Sequence, residues 1–134
     1  MGLFSRKGDK PPIERILDET MPLVIGMRHT SEEFAFAIPE APGRVRAAIE
    51  AYVPTDGALL DPAALGETCA LAALMTGTVA AITPTILCID LAPEGGGTRV
   101  TVRVHAKEGL IDQHTCRRAA DALRRGIAGE ETDS

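Results

Sequence analysis

Residues 67–77 read ETCALAALMTG, and whether Glu67 to Gly77 is taken as helix or strand decides the fold. Ala, Leu, Met and Glu are good helix formers, and Gly77 suits the position just past a helix C-terminus. Against that, the apolar residues run all round a helix, whereas in a strand Cys69, Leu71, Ala73 and Met75 share one face.

Downstream the periodicity is clearer. AAITPTILCIDLAP, residues 80–93, is rich in β-branched side chains and predicts a strand, with Pro84 implying a bulge or an edge position because it has no N–H for a ladder. EGGG, Glu94 to Gly97, predicts a hairpin turn, since glycine adopts positive φ without steric cost. Beyond it Val100, Val102, Val104 and Ala106 point one way, and Arg99, Thr101, Arg103 and His105 the other, the pattern of a strand buried on one side.

HAKEGLIDQHTCRRAADALRRGI, His105 to Ile127, carries this strand into a helix. At helical spacing Cys116, Ala119, Ala120, Leu123 and Ile127 form one stripe, while Arg117, Arg118, Asp121, Arg124 and Arg125 occupy the opposite arc. Gly109 marks the bend, and Asp112 fits the N-cap or first turn, with Glu108 sharing that role. His114 falls on the polar arc and Cys116 among the core residues, so their spacing separates them round the helix and predicts no metal site. Arg117, Arg118, Arg124 and Arg125 are candidates for anion or surface contact.

Upstream, TDGALLDPAALG, residues 55–66, is turn-rich, with a single helical turn after Asp61-Pro62. Before it Val45, Ala48, Ile49 and Tyr52 recur at helical spacing, with Arg44, Arg46 and Glu50 facing away; Pro42 suits the first helical position and Pro54 closes the element. Phe34, Phe36 and Ile38 alternate as a strand, LVIGMRHT (23–30) forms a shorter one, and His29 to Ser31 reads as the turn between them. A first helix starts near Pro12, with Ile13, Ile16 and Leu17 on one side and Glu14, Arg15 and Asp18 on the other, and ends at Pro22. The expected organisation is a mobile arm over residues 1–11, one domain over 12–128 and an acidic tail over 129–134.

The 134 residues suffice for one hydrophobic core. With three Phe, one Tyr and no Trp that core is aliphatic, and a net charge of −5 gives nucleic acid no overall attraction. Cys69, Cys88 and Cys116 are odd in number and widely spaced, which predicts reduced thiols in a cytoplasmic protein and not a disulfide or zinc framework. The N-terminal MGLFSRKGDKPP has no apolar run, and no later stretch is long enough to span a membrane. Gly2 lacks the hydroxyl residue an acylation signal needs at the sixth position, where Arg6 stands. EGGGT does not match a phosphate loop, and neither a G-x-S-x-G nor an H-E-x-x-H motif occurs. Asp90, in an otherwise apolar strand, is the acid to watch if it lines a cavity, with His105 and Glu108 as further acid–base candidates.

The resulting order is helix, strand, helix, three antiparallel strands and a C-terminal amphipathic helix, an α+β fold. FAFAIPEAPGRVRAAIEAYV (34–53) and GGGTRVTVRVHAKEGL (95–110) leading into the final helix resemble the two ends of the helix-grip superfamily, which includes START, Bet v 1 and polyketide-cyclase-like (SRPBCC) domains. The closing segment also resembles small bacterial domains of unknown function, and this resemblance implies a strand at Glu67 to Thr76. The chain is shorter than full helix-grip members and has fewer strands between its helices. The resemblance implies a curved antiparallel sheet gripping the last helix, with apolar space between them, and no shared catalytic motif; no cofactor is expected. The expectation is a small soluble bacterial module that binds a hydrophobic small molecule between sheet and C-terminal helix, through Leu71, Ala73, Asp90, Ala119 and Leu123. The alternatives are a module acting by self-association or protein docking, and a cyclase- or dehydratase-like enzyme.

Overall fold

The strand that closes the glycine hairpin organises the sheet. In the computed structural model, which describes residues 12–20, 28–76, 84–108 and 114–128, β5 (Gly97–Glu108) lies between β1 (Arg28–Ile38) and β4 (Thr85–Glu94) and pairs antiparallel with both. β3 (Leu71–Met75) and β2 (Gly57–Leu60) extend the sheet on the β4 side, giving the order β1-β5-β4-β3-β2. Between Glu94 and Gly97 the two-residue loop has φ 57° at Gly95 and 84° at Gly96. Positive φ at both positions is the mirror-image turn whose twist matches that of the flanking strands.

Among the described residues three α-helices accompany the sheet: α1 (Pro12–Thr20), α2 (Pro42–Tyr52) and α3 (Thr115–Ala128). The inner row of β5, Val100, Val102, Val104 and Ala106, is fully buried. It joins Leu71, Ala73, Met75, Leu87 and Ile89 in one core with Val45 and Ile49 of α2 and the α3 stripe Cys116, Ala119, Ala120, Leu123 and Ile127. On the other face Ile13 and Leu17 of α1 pack with Leu65, Ala72, Ile86 and Cys88. Burying aliphatic surface on both sides of the central strands is the main driving force for this arrangement, roughly 25 cal/mol per Å² of apolar area.

The outer row of β5 is polar, and α1 must accommodate it. Lys107, 8% exposed, places its ammonium 2.9 Å from Asp18 Oδ1 and 3.3 Å from Glu14 Oε2. Burial pulls the Lys107 pKa down, but hydrogen bonds and charge from Asp18 and Glu14 outweigh it and the net shift is upward.

The expected α+β layout is observed, with four strands in place of three between α2 and α3, and with the start of α2 at Pro42 and the helical stripe of α3 both in place. Within 67–77, residues 71–75 are strand. There β3 is paired on both sides and four of its five residues are buried, so tertiary pairing overrides helix propensity. The helical turn after Asp61 is a 3₁₀ turn, Pro62–Leu65, begun by the Ala63 N–H donating to Asp61 Oδ1 at 3.0 Å.

Three expectations are corrected. His29 to Ser31 is not a turn: β1 runs unbroken from Arg28 to Ile38, because β5 offers a partner to every residue from Glu108 to Thr98. Pro84 marks neither bulge nor edge, since β4 begins after it at Thr85 and is an interior strand. The connection at 55–66 also contains a strand, β2, too short for alternation to reveal. The arm at 1–11, Pro22, the stretches 23–27 and 77–83, Gly109, Asp112 and the tail at 129–134 lie outside the described residues.

Ile89 is fully buried in the helix-side core, so Ile89→Ala should cost about 2–5 kcal/mol of stability. Urea unfolding followed by circular dichroism measures this, and a loss well below that range would place Ile89 outside the load of the core.

Candidate functional site

Where β1 ends, the chain turns a tight corner into α2. Glu40 N–H donates to Ile38 O at 2.8 Å, and the buried Thr98 hydroxyl donates to Glu40 O at 2.6 Å. Gly97 is required here, because a Cβ on it would collide with the Ile38 carbonyl. This corner holds the first turns of α2 beside the last turn of α3, and a groove of about 670 Å³ opens between them.

Its walls are Ile38, Pro39 and Glu40 from the corner, Arg44, Val45, Ala47 and Ala48 from α2, and Ile127 and Ala128 from α3. Two helices can meet here because Gly126 has no side chain. A Cβ at that position would strike the Tyr52 ring, so the helices touch at Tyr52–Gly126 while the alanines on either side leave space. Seven of the nine lining residues are apolar. Arg44 and Glu40, both exposed, supply the polar groups.

Of the residues expected to bind a ligand, the structure brings four together. Leu71, Ala73, Ala119 and Leu123 share the helix-side core and are all buried. Leu123 lies one turn and Ala119 two turns inward from Ile127 on the α3 stripe, behind the groove. Asp90 stands apart: it is exposed and its Oδ1 accepts the Ala70 N–H at 3.0 Å. Arg117 and Arg118 are exposed, whereas Arg124 and Arg125 are half-buried. His114 is exposed as expected but precedes α3, with a left-handed φ of 57°.

The groove residues Ile38, Val45, Ala48 and Ile127 were legible as core positions, not as a site. Only the approach of α2 to α3 distinguishes a lining residue from a packed one.

The acid–base candidates do not converge. Asp90 pairs with Thr101 and His105 with Ile86, four residues apart along the strands and so roughly 13 Å apart at the usual rise. His105 has another partner that the sequence did not suggest. Its Nδ1 lies 3.0 Å from Nε2 of His29, with the ring centroids 5.2 Å apart, so a single proton is shared between the two nitrogens. Its Nε2 is buried without a hydrogen-bond partner among the described residues. Burial, then the neighbouring His29 and Arg103, lower the His105 pKa to about 4. Among the described residues no group of three or more His, Cys, Asp and Glu is placed to hold a metal ion, and no helix is long and apolar enough to cross a membrane.

No protein-family model and no curated protein matches the chain. It is similar to a solved structure, that of Ara h 8.0201, a Bet v 1-family allergen. That match covers 76% of this chain and 97% of the other, with 11% sequence identity and a TM-score of 0.44.

The burial of His105 sets a pH dependence. The folded His105 pKa, about 4, lies below its ordinary value of 6.5, so between these values the unfolded chain binds a proton that the folded chain refuses. Stability is therefore fully present above pH 6.5 and falls as the pH drops toward 4, by at most about 3 kcal/mol from this group. Urea midpoints across that range should show the fall, and His105→Gln should flatten it; an unchanged slope in the variant would assign it to other groups.

Proposed function

We propose that this protein is a non-catalytic, cytoplasmic module that binds an apolar small molecule in the groove between the β1–α2 corner and the last turn of α3. The observation that carries this reading is the groove itself: its volume, about 670 Å³, lies in the range of roughly 300–1,000 Å³ typical of sites for small ligands, and its lining is mostly apolar with few polar groups. Arg44 gives such a ligand a charged partner at one end and favours an acid there, while Ile38, Val45, Ala48 and Ile127 cover its hydrocarbon part. Leu123, Ala119, Leu71 and Ala73, expected to line the site, are buried in the packed core behind the groove, which favours a ligand held in the groove itself. Nucleic acid is disfavoured by the net charge of −5.

A second reading, docking of a partner protein or of a second copy, is favoured by β2. It is a sheet edge, and it carries Leu59, a large hydrophobic residue 42% exposed. Native mass spectrometry of protein from its own host separates the two readings. Extra mass that disappears on denaturation supports the groove, whereas a bare mass at a dimer or hetero-complex value moves the weight to β2.

Ala47 is exposed on the groove wall, so Ala47→Trp should fill the space without entering the core. Binding of an apolar fluorescent carboxylic acid should weaken at least tenfold, or about 1.4 kcal/mol, with the thermal midpoint little changed. Arg44→Gln should weaken the acid by no more than about fivefold, as an exposed ion pair is worth about 0–1 kcal/mol, and leave the matching alcohol unaffected. Equal binding by wild type and Ala47→Trp would remove the groove from consideration.

A further inference from the structure

The outer face of the sheet holds two thiols that take no part in the groove. Cys88, 4% exposed, lies in β4 opposite Arg103 of β5. The chain leading into β3 crosses this face. Leu65 packs in the same cluster as Cys88, Glu67 Oε1 lies 3.8 Å from Arg103 Nη1, and the Ala70 N–H donates to Ile89 O at 3.1 Å and to Asp90 Oδ1 at 3.0 Å. Glu67 and Ala70 therefore hold Cys69 over β4 beside Cys88, and Cys69, half-buried, packs against that same cluster. Both thiols are free. The third, Cys116, lies on the opposite face, its thiol donating to Val104 O at 3.5 Å.

We propose that Cys69 and Cys88 form a reversible dithiol–disulfide site that exchanges with small disulfides of the glutathione type. Cys69, the more exposed, attacks as thiolate on one sulfur of the small disulfide, forming a mixed disulfide and releasing one thiolate. Cys88 then loses its proton and attacks the Cys69 sulfur. The Cys69–Cys88 bond forms, the second small thiolate leaves, and the two released thiolates take up the two protons. Two protein thiols are oxidised by two electrons, and the small disulfide is reduced to two thiols.

The surroundings of Cys88 set the order of these steps. Burial first, then the charge and hydrogen bond of Cys69 and the charge of Glu67, push its thiol up to about 12, with Arg103 acting the other way. Reduced Cys88 is therefore unreactive on its own, and closure waits on Cys69. Closure ties the start of β3 to the middle of β4 across a face already held by Glu67 and Arg103.

The test uses the full chain, folded and incubated with oxidised glutathione under mildly alkaline conditions, then alkylated, weighed intact and mapped by proteolysis. The expected product is lighter by two hydrogens before alkylation, links the Cys69 and Cys88 peptides, and carries alkylated Cys116. Cys88→Ser should stop at a glutathione adduct on Cys69, and Cys116→Ser should behave as wild type. If Cys88→Ser fails to fold, Cys69→Ser, at a half-exposed position, should lose both adduct and link. A wild-type protein that stays unmodified, retains a glutathione adduct on Cys69, or links through Cys116 overturns the proposal.

Discussion

The position of β5 between β1 and β4 is the constraint on which the rest of the structure depends. This strand is bonded along both edges, to β1 through eleven register pairs from Arg28↔Glu108 to Ile38↔Thr98 and to β4 through ten from Thr85↔Ala106 to Glu94↔Gly97. It thereby joins the first strand to the closing hairpin, and its register with β4 is set by a two-residue glycine hairpin. A slip of one residue would turn Val100, Val102 and Val104 to the opposite face and bring Arg99, Arg103 and His105 under α3.

Because side chains alternate, the same strand that supplies an apolar row to α2 and α3 must offer a polar row to the other face. The structure meets this in two ways. Arg99 and Arg103 reach solvent and carry the exposed carboxylates Glu94 and Glu33, pairs that contribute little to stability. Lys107 and His105 are covered, and each has a specific partner: Asp18 and Glu14 for the lysine, His29 for the histidine. Buried polar groups of this kind define how α1 and the start of β1 sit on the sheet, and their protonation states matter more than their number.

Free space in this protein follows from the absence of large side chains. With Ala73, Ala106, Ala119 and Ala120 at its centre, the core draws α3 close to the sheet. The region between Leu123 and Leu71 is accordingly packed, and the described groove sits where α3 ends and the β1–α2 corner turns away. Contact between Gly126 and Tyr52 fixes how near the two helices come, so a residue with no side chain at all determines the shape of the apolar site beside it.

The sequence by itself determined the period of β5, α2 and α3, and with it the fold class. Alternation in Val100 to Ala106, the helical stripe from Cys116 to Ile127, Pro42 at the start of α2 and the Gly95-Gly96 turn each leave a local signature that no distant contact is needed to explain. The tertiary structure decided what depends on pairing partners. That Leu71 to Met75 is strand despite helix-forming residues, that His29 to Ser31 continues β1, and that Pro84 precedes an interior strand all follow from hydrogen bonds to residues far along the chain. The site was decided there as well. Ile38, Val45 and Ile127 look alike in the sequence as core residues, and His29 and His105 lie 76 positions apart. Periodicity reports which face a residue takes, but the neighbour it meets on that face is set only when the elements pack.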